Sequence, residues 1–281
     1  MTAAGTWRFL IDVAKCEDCN NCLLACKDEH VGNHWPGVTL PQPRRGARWM
    51  NVVRKERGQY PHVDVAYRPT PCQHCADAPC VAASGGAIAR RPDGIVLIDP
   101  DKAKGRRDLV ESCPYGAIDW NEELSVPQKC TLCAHLLDTG WKEPRCVQSC
   151  PTGALKVVRL DDAEAARLAT TEGLLPLHPE HGTKPTALYR SLARFEKCFV
   201  AGSVAAETNG VVDCVAGANV TLSRGAEVVA TATTDAFGDF KLDGLEEGSG
   251  RYALAVSGPA GRGIRLEVEV TTSVSLGVVP I

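Results

Sequence analysis

Aromatic residues make up only 5 % of the 281-residue chain, and methionine occurs only twice. No segment approaches the run of roughly 18 to 20 apolar residues that crosses a bilayer. The N-terminal stretch MTAAGTWRFLIDVAKC has no basic region, no apolar core and no twin-arginine pair, so it lacks the pattern of an export signal. We therefore expect a cytoplasmic protein without direct membrane insertion, although a partner chain could still carry it across a membrane.

An excess of charge of one sign is also lacking. The formal net charge is −3, and charged residues make up 23 % of the chain. Nucleic-acid and membrane-surface binding usually require a basic patch or tail. We therefore expect neither as a partner.

Cysteine is the residue that stands out, with 14 copies, 12 of which lie between Cys16 and Cys150. A disulfide framework is disfavoured because the cytosol keeps thiols reduced. Zinc is the stronger rival, since CxxC pairs also build zinc ribbons. The spacing of the cysteines has to decide between zinc and an iron–sulfur cluster.

The first cysteine motif is CEDCNNCLLAC, in which Cys16, Cys19, Cys22 and Cys26 follow the pattern C-x2-C-x2-C-x3-C. This pattern is typical of bacterial ferredoxins, where three cysteines hold one cluster and the fourth binds the neighbouring cluster. Zinc ribbons instead use two separated pairs. The motif therefore favours an iron–sulfur cluster.

A short repeat supports the same interpretation. Cys113-Pro-Tyr-Gly-Ala is repeated as Cys150-Pro-Thr-Gly-Ala, and both resemble the end of a ferredoxin motif. The repeat indicates duplicated ferredoxin units rather than unrelated metal loops.

Exchange of the fourth cysteine between paired motifs predicts three complete [4Fe-4S] sites. The first site comprises Cys16, Cys19, Cys22 and Cys150. The second site comprises Cys26, Cys130, Cys133 and Cys146. The third site comprises Cys72, Cys75, Cys80 and Cys113. Cys198 and Cys214 lack ligand spacing and are expected to be half-buried thiols at the edge of the C-terminal part.

A fourth site is missing as a unit. Counting back from Cys113 with the ferredoxin spacing places Ala103, Arg106 and Leu109 where three ligands would be, and Ser84 stands where the exchanged ligand would be. All four ligands are absent together, which predicts the loss of one whole cluster. We expect Ser84 to be an ordinary loop serine and Arg106 to form a salt bridge or to face solvent.

The chain is predicted to have an α+β fold in three parts. Residues 1–160 form a duplicated bacterial-ferredoxin-like domain with an insertion, residues 27–71, that is expected to be a solvated loop packed by Trp35 and Trp49 and to dock a partner. Residues 161–198 form a helical connector. Residues 199–281 contain six or seven short alternating runs, such as ANVTLSR and DFKLDGL, which predict a small antiparallel β-sandwich.

With these motifs identified, the chain resembles the iron–sulfur subunits of the dimethyl sulfoxide reductase-type molybdopterin oxidoreductases. The resemblance is carried by IDVAKCEDCNNC, YRPTPCQHC, DGIVLIDPDKAKG, CTLCAHLLD and, in the C-terminal part, FGDFKLDGL. Most members carry four clusters. Those with three clusters and an appended Ig-like, carboxypeptidase-regulatory-like β domain serve enzymes that transhydroxylate or hydroxylate phenolic rings such as pyrogallol or resorcinol.

The resemblance implies a heterodimer with a large catalytic subunit that holds molybdenum on two pterin guanine dinucleotides. This chain would then be a non-catalytic electron-transfer subunit, with no catalytic residues of its own. The alternative is a cluster-bearing structural or docking subunit of another molybdopterin or tungsten oxidoreductase, without net electron relay.

Overall fold

A computed structural model of the chain describes residues 5–258 and 261–281. The first four residues of the N-terminal stretch considered above lie outside the described residues. The chain divides into two compact units, the first made of Met1–Val53 and Tyr67–Leu192, the second of Arg54–Ala66 and Ala193–Ile281. Within the described ranges, every helix is too short or too polar to cross a lipid bilayer.

The first unit consists of short helices and strands separated by long loops. Its helices are α1 (Asn21–His30), α2 (Pro79–Ala83), α3 (Ala134–Asp138), α4 (Arg145–Gln148) and α5 (Asp162–Glu172). Its strands are β1 (Thr6–Asp12), β4 (Ile88–Arg90), β5 (Val96–Ile98), β6 (Asp119–Asn121), β7 (Val126–Gln128), β8 (Leu155–Leu160), β9 (Leu175–Pro176) and β10 (Leu188–Arg190). Two further strands, β2 (Met50–Gln59) and β3 (His62–Pro71), run through both units. Three 3₁₀ turns complete the path, at Val13–Lys15, Arg107–Leu109 and Pro179–His181.

One four-stranded sheet, in the order β8-β1-β10-β9, gives the first unit its frame. β1 pairs antiparallel with β8 and parallel with β10. Phe9 and Ile11 alternate along β1 toward the core and are almost completely buried, as expected for a strand with one inward face. The sheet therefore ties the N-terminus to residues that are more than 140 positions further along the chain.

The prediction of a helical connector at residues 161–198 is wrong in part. Its first half is helical, because α5 begins with a capping box between Asp161 and Glu164. Its second half contributes β9 and β10 to the sheet of the first unit. The reason is Tyr189, an aromatic residue that is fully buried in β10 and favours a strand.

The insertion, residues 27–71, is also more regular than a solvated loop. Its second half forms the antiparallel hairpin of β2 and β3, whose tip, Arg54–Ala66, belongs to the second unit. The alternating run MNVVRKERG explains the strand, and Gly58 at φ +85° allows the bend near the tip, where a side chain would meet the carbonyl oxygen of His62. Trp49 is buried, as the sequence predicted.

The second unit is mostly β-structure. Its elements are α6 (Ala193–Glu196), β11 (Cys198–Thr208), β12 (Val211–Cys214), β13 (Asn219–Arg224), β14 (Glu227–Thr233), β15 (Asp239–Leu245), β16 (Gly250–Ser257), β17 (Gly263–Val270) and β18 (Val274–Pro280). One sheet has β12 and β15 antiparallel to β11, with β18 joining β11 in parallel, and the other has the order β14-β13-β16-β17. Inward residues of both sheets, among them Val200, Leu222 and Leu254, form one hydrophobic core. Cys198 is buried in this core and Cys214 is exposed, so the prediction of two half-buried thiols is wrong.

A buried ion-pair network lies in the second unit. The guanidinium of Arg57, with 1 % of its side chain exposed, donates to Asp64 at 2.5 Å and to Asp243 at 3.0 Å. Asp64 also accepts from Arg194 at 3.1 Å and from Lys241 at 2.7 Å. Although burial opposes it, these hydrogen bonds hold the pKa of Asp64 well below its usual range. The network is thus stabilising at neutral pH and is lost only in strong acid.

We expect Asp64→Asn to lower the free energy of unfolding by about 3 kcal/mol, because it removes a carboxylate from a buried cation. Glu247→Gln is the matched control, since its ion pair with Lys55 is 4.0 Å long and exposed and should contribute less than about 1 kcal/mol. Urea unfolding of the purified protein measures both. Equal midpoints for the two variants would contradict this account of the network.

Candidate metal centres

The four cysteines of the first site come from two distant segments and meet at one cavity. Cys16 and Cys19 lie in the loop before α1, Cys22 lies in its first turn, and Cys150 follows α4. All four line a cavity with about 310 Å³ of empty space, part of which is open to solvent. Burial and, to a smaller extent, the nearby thiols of Cys16, Cys150 and Cys19 together raise the pKa of Cys22 to about 12.

The loop that carries Cys16 and Cys19 depends on left-handed backbone conformations. Asp18 has φ +56° and Asn20 has φ +60°, and the Asn20 side chain donates to the carbonyl oxygen of Asp18 at 2.7 Å. Asp and Asn tolerate this conformation better than most residues because their short side chains hydrogen-bond to the nearby backbone. The loop therefore turns sharply enough to direct its cysteines to one cavity.

One face of α1 connects the first two sites. Cys22, Cys26 and His30 are all buried, and their spacing of four residues places them on the same side of the helix. Cys22 lines the first cavity, whereas Cys26 is close enough to Cys130 and Cys133 for their thiols to raise its pKa, after the larger effect of burial. This arrangement agrees with the predicted exchange of the fourth cysteine.

The second site is the most deeply buried. Burial raises the pKa of Cys130 to about 11 and that of Cys133 to about 12, and it raises the pKa values of Cys26 and Cys146 well above 9.0. The thiols of Cys133, Cys130 and Cys26 raise that of Cys146 further, so the four groups face one another. The backbone N–H of Leu132 donates to Cys130 Sγ at 3.4 Å.

A pair of histidines lies beside the second site. His30 Nε2 is 3.8 Å from Cys133 Sγ, and the His30 ring packs against Trp49 and His135. Burial lowers the pKa of His30 to about 3, so the ring is neutral. His135 Nε2 in turn is 2.9 Å from a carboxylate oxygen of Glu29.

The third site lines a second cavity, with about 340 Å³ of empty space. Cys72 and Cys75 lie after β3, Cys80 is in α2, and Cys113 precedes a turn in which the N–H of Ala117 donates to Cys113 Sγ at 3.5 Å. Burial raises the pKa of Cys75 to about 12 and that of Cys80 to about 11. The structure thus brings together the four cysteines that the sequence grouped.

The separation of the sulfur atoms argues against a single zinc ion. Four thiolates bound to one zinc at 2.3 Å lie about 3.8 Å from one another. In the part of the chain that the structure describes, no three cysteine Sγ atoms lie within 4.8 Å of one another, whereas ligand atoms of His178, Glu180 and His181 do. The cysteine groups therefore fit a larger, multi-atom group, and their thiolates are the donors that iron–sulfur clusters require.

The second site is near both of the others. Among the thiols that raise the pKa of Cys146 in the second site is Cys22 of the first site. Likewise, Cys72 of the third site raises the pKa of Cys130 in the second. The second site is therefore a neighbour of the first and of the third.

The position of the missing fourth site is filled by protein. Ala103 and Leu109 are completely buried and pack in one hydrophobic core with Ile88 and Val96. The Ser84 hydroxyl donates to the Val81 carbonyl at 2.8 Å and accepts from the N–H of Ile88 at 3.0 Å.

Arg106, the last of the four residues at the predicted fourth site, lies at the surface. It pairs with Asp108 at 2.7 Å and donates to the carbonyl oxygen of Ser84 at 3.2 Å. The predictions of an ordinary loop serine and of a salt-bridged arginine are both confirmed.

Sequence reasoning missed three polar residues around the cysteine groups: His30, His74 and Lys129. His74 is fully buried between Cys72 and Cys75, where its Nδ1 accepts from the N–H of Val96 at 3.0 Å. Lys129 is buried immediately before Cys130. For His74 and Lys129 the available signal was a basic residue inside or directly beside a cysteine motif. For Lys129 this is a costly place for a charge unless a negative group is near. His30 lies four residues after Cys26 and gave no such signal.

Comparison with known proteins agrees with this geometry. Residues 63–160 match the family model described as a 4Fe-4S dicluster domain. The chain is 50 % identical over 243 residues to the pyrogallol hydroxytransferase small subunit of Pelobacter acidigallici, an alignment that covers 85 % of this chain and 87 % of that one. It is also 34 % identical over 195 residues to a subunit of the sulfite dehydrogenase of Allochromatium vinosum, with 64 % and 81 % covered.

A third relative has lower identity but is covered almost completely. The arsenate respiratory reductase iron-sulfur subunit of Shewanella sp. strain ANA-3 is 29 % identical over 232 residues, which cover 64 % of this chain and 94 % of that one. The dicluster match and the cysteine-lined cavities together define an iron–sulfur protein. The chain belongs to the family of iron–sulfur electron-transfer subunits of dimethyl sulfoxide reductase-type molybdopterin oxidoreductases.

The hydrophobic packing at the predicted fourth site leads to a prediction about stability. We expect Leu109→Ala to lower the free energy of unfolding by about 3 kcal/mol, because Leu109 is fully buried and its truncation leaves a cavity. Leu124→Ala is the control, since Leu124 is 36 % exposed and should contribute much less. If urea unfolding gave Leu109→Ala the stability of the wild type, the position would not be a packed core.

Proposed function

We propose that this chain binds three [4Fe-4S] clusters, one at each site, through the twelve cysteines assigned to the sites above. The single observation that carries the proposal is that these cysteines lie in three groups of four, each drawn from distant segments. Burial raises the pKa of most of the thiols, so a bound cation is needed to keep them ionised. Iron supplies that charge, and a reducing compartment such as the cytoplasm keeps the thiols available.

In this role the chain is a non-catalytic electron carrier. A [4Fe-4S] cluster supplies one-electron transfer when it is bound. The protein contributes the position of the thiolates, the exclusion of water and the N–H donors at the sulfur atoms, such as those of Leu132 and Ala117. Such donors and the degree of burial tune cluster potentials.

We propose further that the partner is a large subunit holding molybdenum on two pterin guanine dinucleotides and acting on phenolic aromatic compounds, as a transhydroxylase or a hydroxylase. The support is the 50 % identity to a pyrogallol hydroxytransferase small subunit along 87 % of its length. The packed side chains at the predicted fourth site are consistent with the members of the family that carry three clusters.

For the fold, we propose that the first unit contains a duplicated ferredoxin-like domain and that the second is an Ig-like β-sandwich. The duplication is supported by the repeated turns after Cys113 and Cys150. Gly116 has φ +60° and Gly153 has φ +64°, and each N–H donates to the carbonyl oxygen of its cysteine, at 3.0 Å and 3.4 Å. Both turns need a positive φ, which explains the glycine in each copy.

Cluster number can be tested by removing one ligand. We expect the wild-type protein, isolated without oxygen, to contain about twelve iron atoms per chain. Cys113→Ser should lower this number by about four, because a site needs all of its ligands to hold a stable cluster. Cys214→Ser should leave it unchanged, since Cys214 lies outside the three sites. Sixteen irons, or an equal loss in both variants, would contradict the assignment.

Electron transfer can be tested in the complex with the large subunit. Loss of a ring hydroxyl as water consumes two electrons and two protons, so a polyphenol substrate should reoxidise clusters that dithionite has reduced. Visible absorbance and electron paramagnetic resonance (EPR) spectra follow the change, and a substrate-free sample is the control. Hydroxyl transfer without any change in the clusters would instead favour the structural or docking role.

A further inference from the structure

Lys129 is a buried cation whose hydrogen-bond acceptors are backbone carbonyls. Its residue is 3 % exposed, and its ammonium group donates to the carbonyl oxygens of Val96 and, at 3.1 Å, of Cys130. Among the described residues, no Asp or Glu side chain forms an ion pair with it. Because a buried unpaired charge is costly, its counter-charge has to come from another group.

The groups nearest to this ammonium belong to two cysteine sites. Lys129 lines the cavity of the third site together with Cys72, Cys75, Cys80 and Cys113. It also directly precedes Cys130 of the second site and donates to its carbonyl oxygen. Its charge lowers the pKa values of the Cys80, Cys113 and Cys130 thiols against the stronger effect of burial. The positive charge is therefore shared by the second and third sites.

The cavity of the first site has an acidic lining. The residues that line it include Glu17 and Asp18 but no lysine or arginine. Lys15 directly precedes Cys16 but is exposed to solvent. Asp18 also raises the pKa of the Cys16 thiol, after the larger effect of burial. Acidic side chains thus line the first site, whereas a buried ammonium lies beside the second and the third.

Given the clusters proposed above, we infer that Lys129 is a positioning charge that raises the reduction potentials of the second and third clusters above that of the first. Each cluster with four thiolates gains one negative charge on reduction, and a nearby cation in a poorly solvated interior stabilises the more negative form. One electron then moves from the first cluster, which is oxidised, to the second or third, which is reduced. No proton transfer is needed.

The test is an EPR-monitored redox titration of the anaerobically purified complex with its large subunit. Lys129→Met keeps the length of the side chain and removes the charge. We expect this substitution to lower the reduction potentials of the second and third clusters by at least 59 mV, which is a tenfold change in the equilibrium constant for one electron. The first cluster should be unaffected. Lys102→Met is the matched control, because Lys102 is exposed and should shift no cluster.

Two further measurements keep the inference separable from the cluster assignment. Iron content of the wild type tests the clusters themselves: without about twelve irons per chain the proposed function fails, whatever Lys129 does. If Lys129→Met does not take up iron, the wild-type potentials still test the inference. The EPR signal that is lost in Cys113→Ser belongs to the third cluster, and this signal must not have the lowest potential of the three. The inference is overturned if that signal is the lowest, or if Lys129→Met takes up iron and shifts no more than Lys102→Met.

Discussion

The convergence of thiols from distant parts of the chain is the constraint on which the first unit depends. Cys16 and Cys150 belong to one cavity although more than 130 residues separate them. The sheet that pairs β1 with β8 holds the segments of these two cysteines side by side, because Cys16 follows β1 and Cys150 precedes β8. Short helices and αL residues then direct each thiol. Regular structure is sparse here since the cavities, rather than one continuous core, have to be enclosed.

The same constraint explains how a whole site can be absent without a void. A cavity built for a metal group would be costly if its ligands were lost one at a time, because the remaining thiols would stay buried and unpaired. In this chain the three motif positions are alanine, arginine and leucine. Ala103 and Leu109 join the hydrophobic core around Ile88, and Arg106 turns to Asp108 at the surface. Apolar side chains therefore fill the interior at these positions.

Much of the candidate site could be predicted from the sequence, because ferredoxin spacing is local and repeats. The grouping of Cys72, Cys75 and Cys80 with Cys113 required only the rule of ligand exchange. The β-strands of the second unit were also predictable, since inward residues such as Val220 and Leu222 alternate with outward ones. Alternation is a property of the strand itself and needs no knowledge of the partner strand.

The other parts of the fold could not be predicted, because they depend on contacts between residues that are distant in the sequence. β10 is three residues long, and its strand pairing with β1 follows from the burial of Tyr189 rather than from a periodic run. The hairpin of β2 and β3 was not predicted, although β2 has an alternating sequence, because the cluster of Arg54, Lys55 and Arg57 indicated a solvated loop. Arg57 is nevertheless buried, since Asp64 and Asp243 supply its counter-charge. A buried ion pair of this kind cannot be recognised until the fold brings its members together.

The electrostatics of the three sites and the packed core at the predicted fourth site bear on the same question, namely where an added electron would be stabilised. Packed side chains occupy the positions predicted for a fourth site, and the buried ammonium of Lys129 lines the third cavity. Acidic residues line the first cavity instead. With clusters bound as proposed, the negative charge gained on reduction would be stabilised at the second and third sites rather than at the first, because a nearby cation acts strongly in a poorly solvated interior.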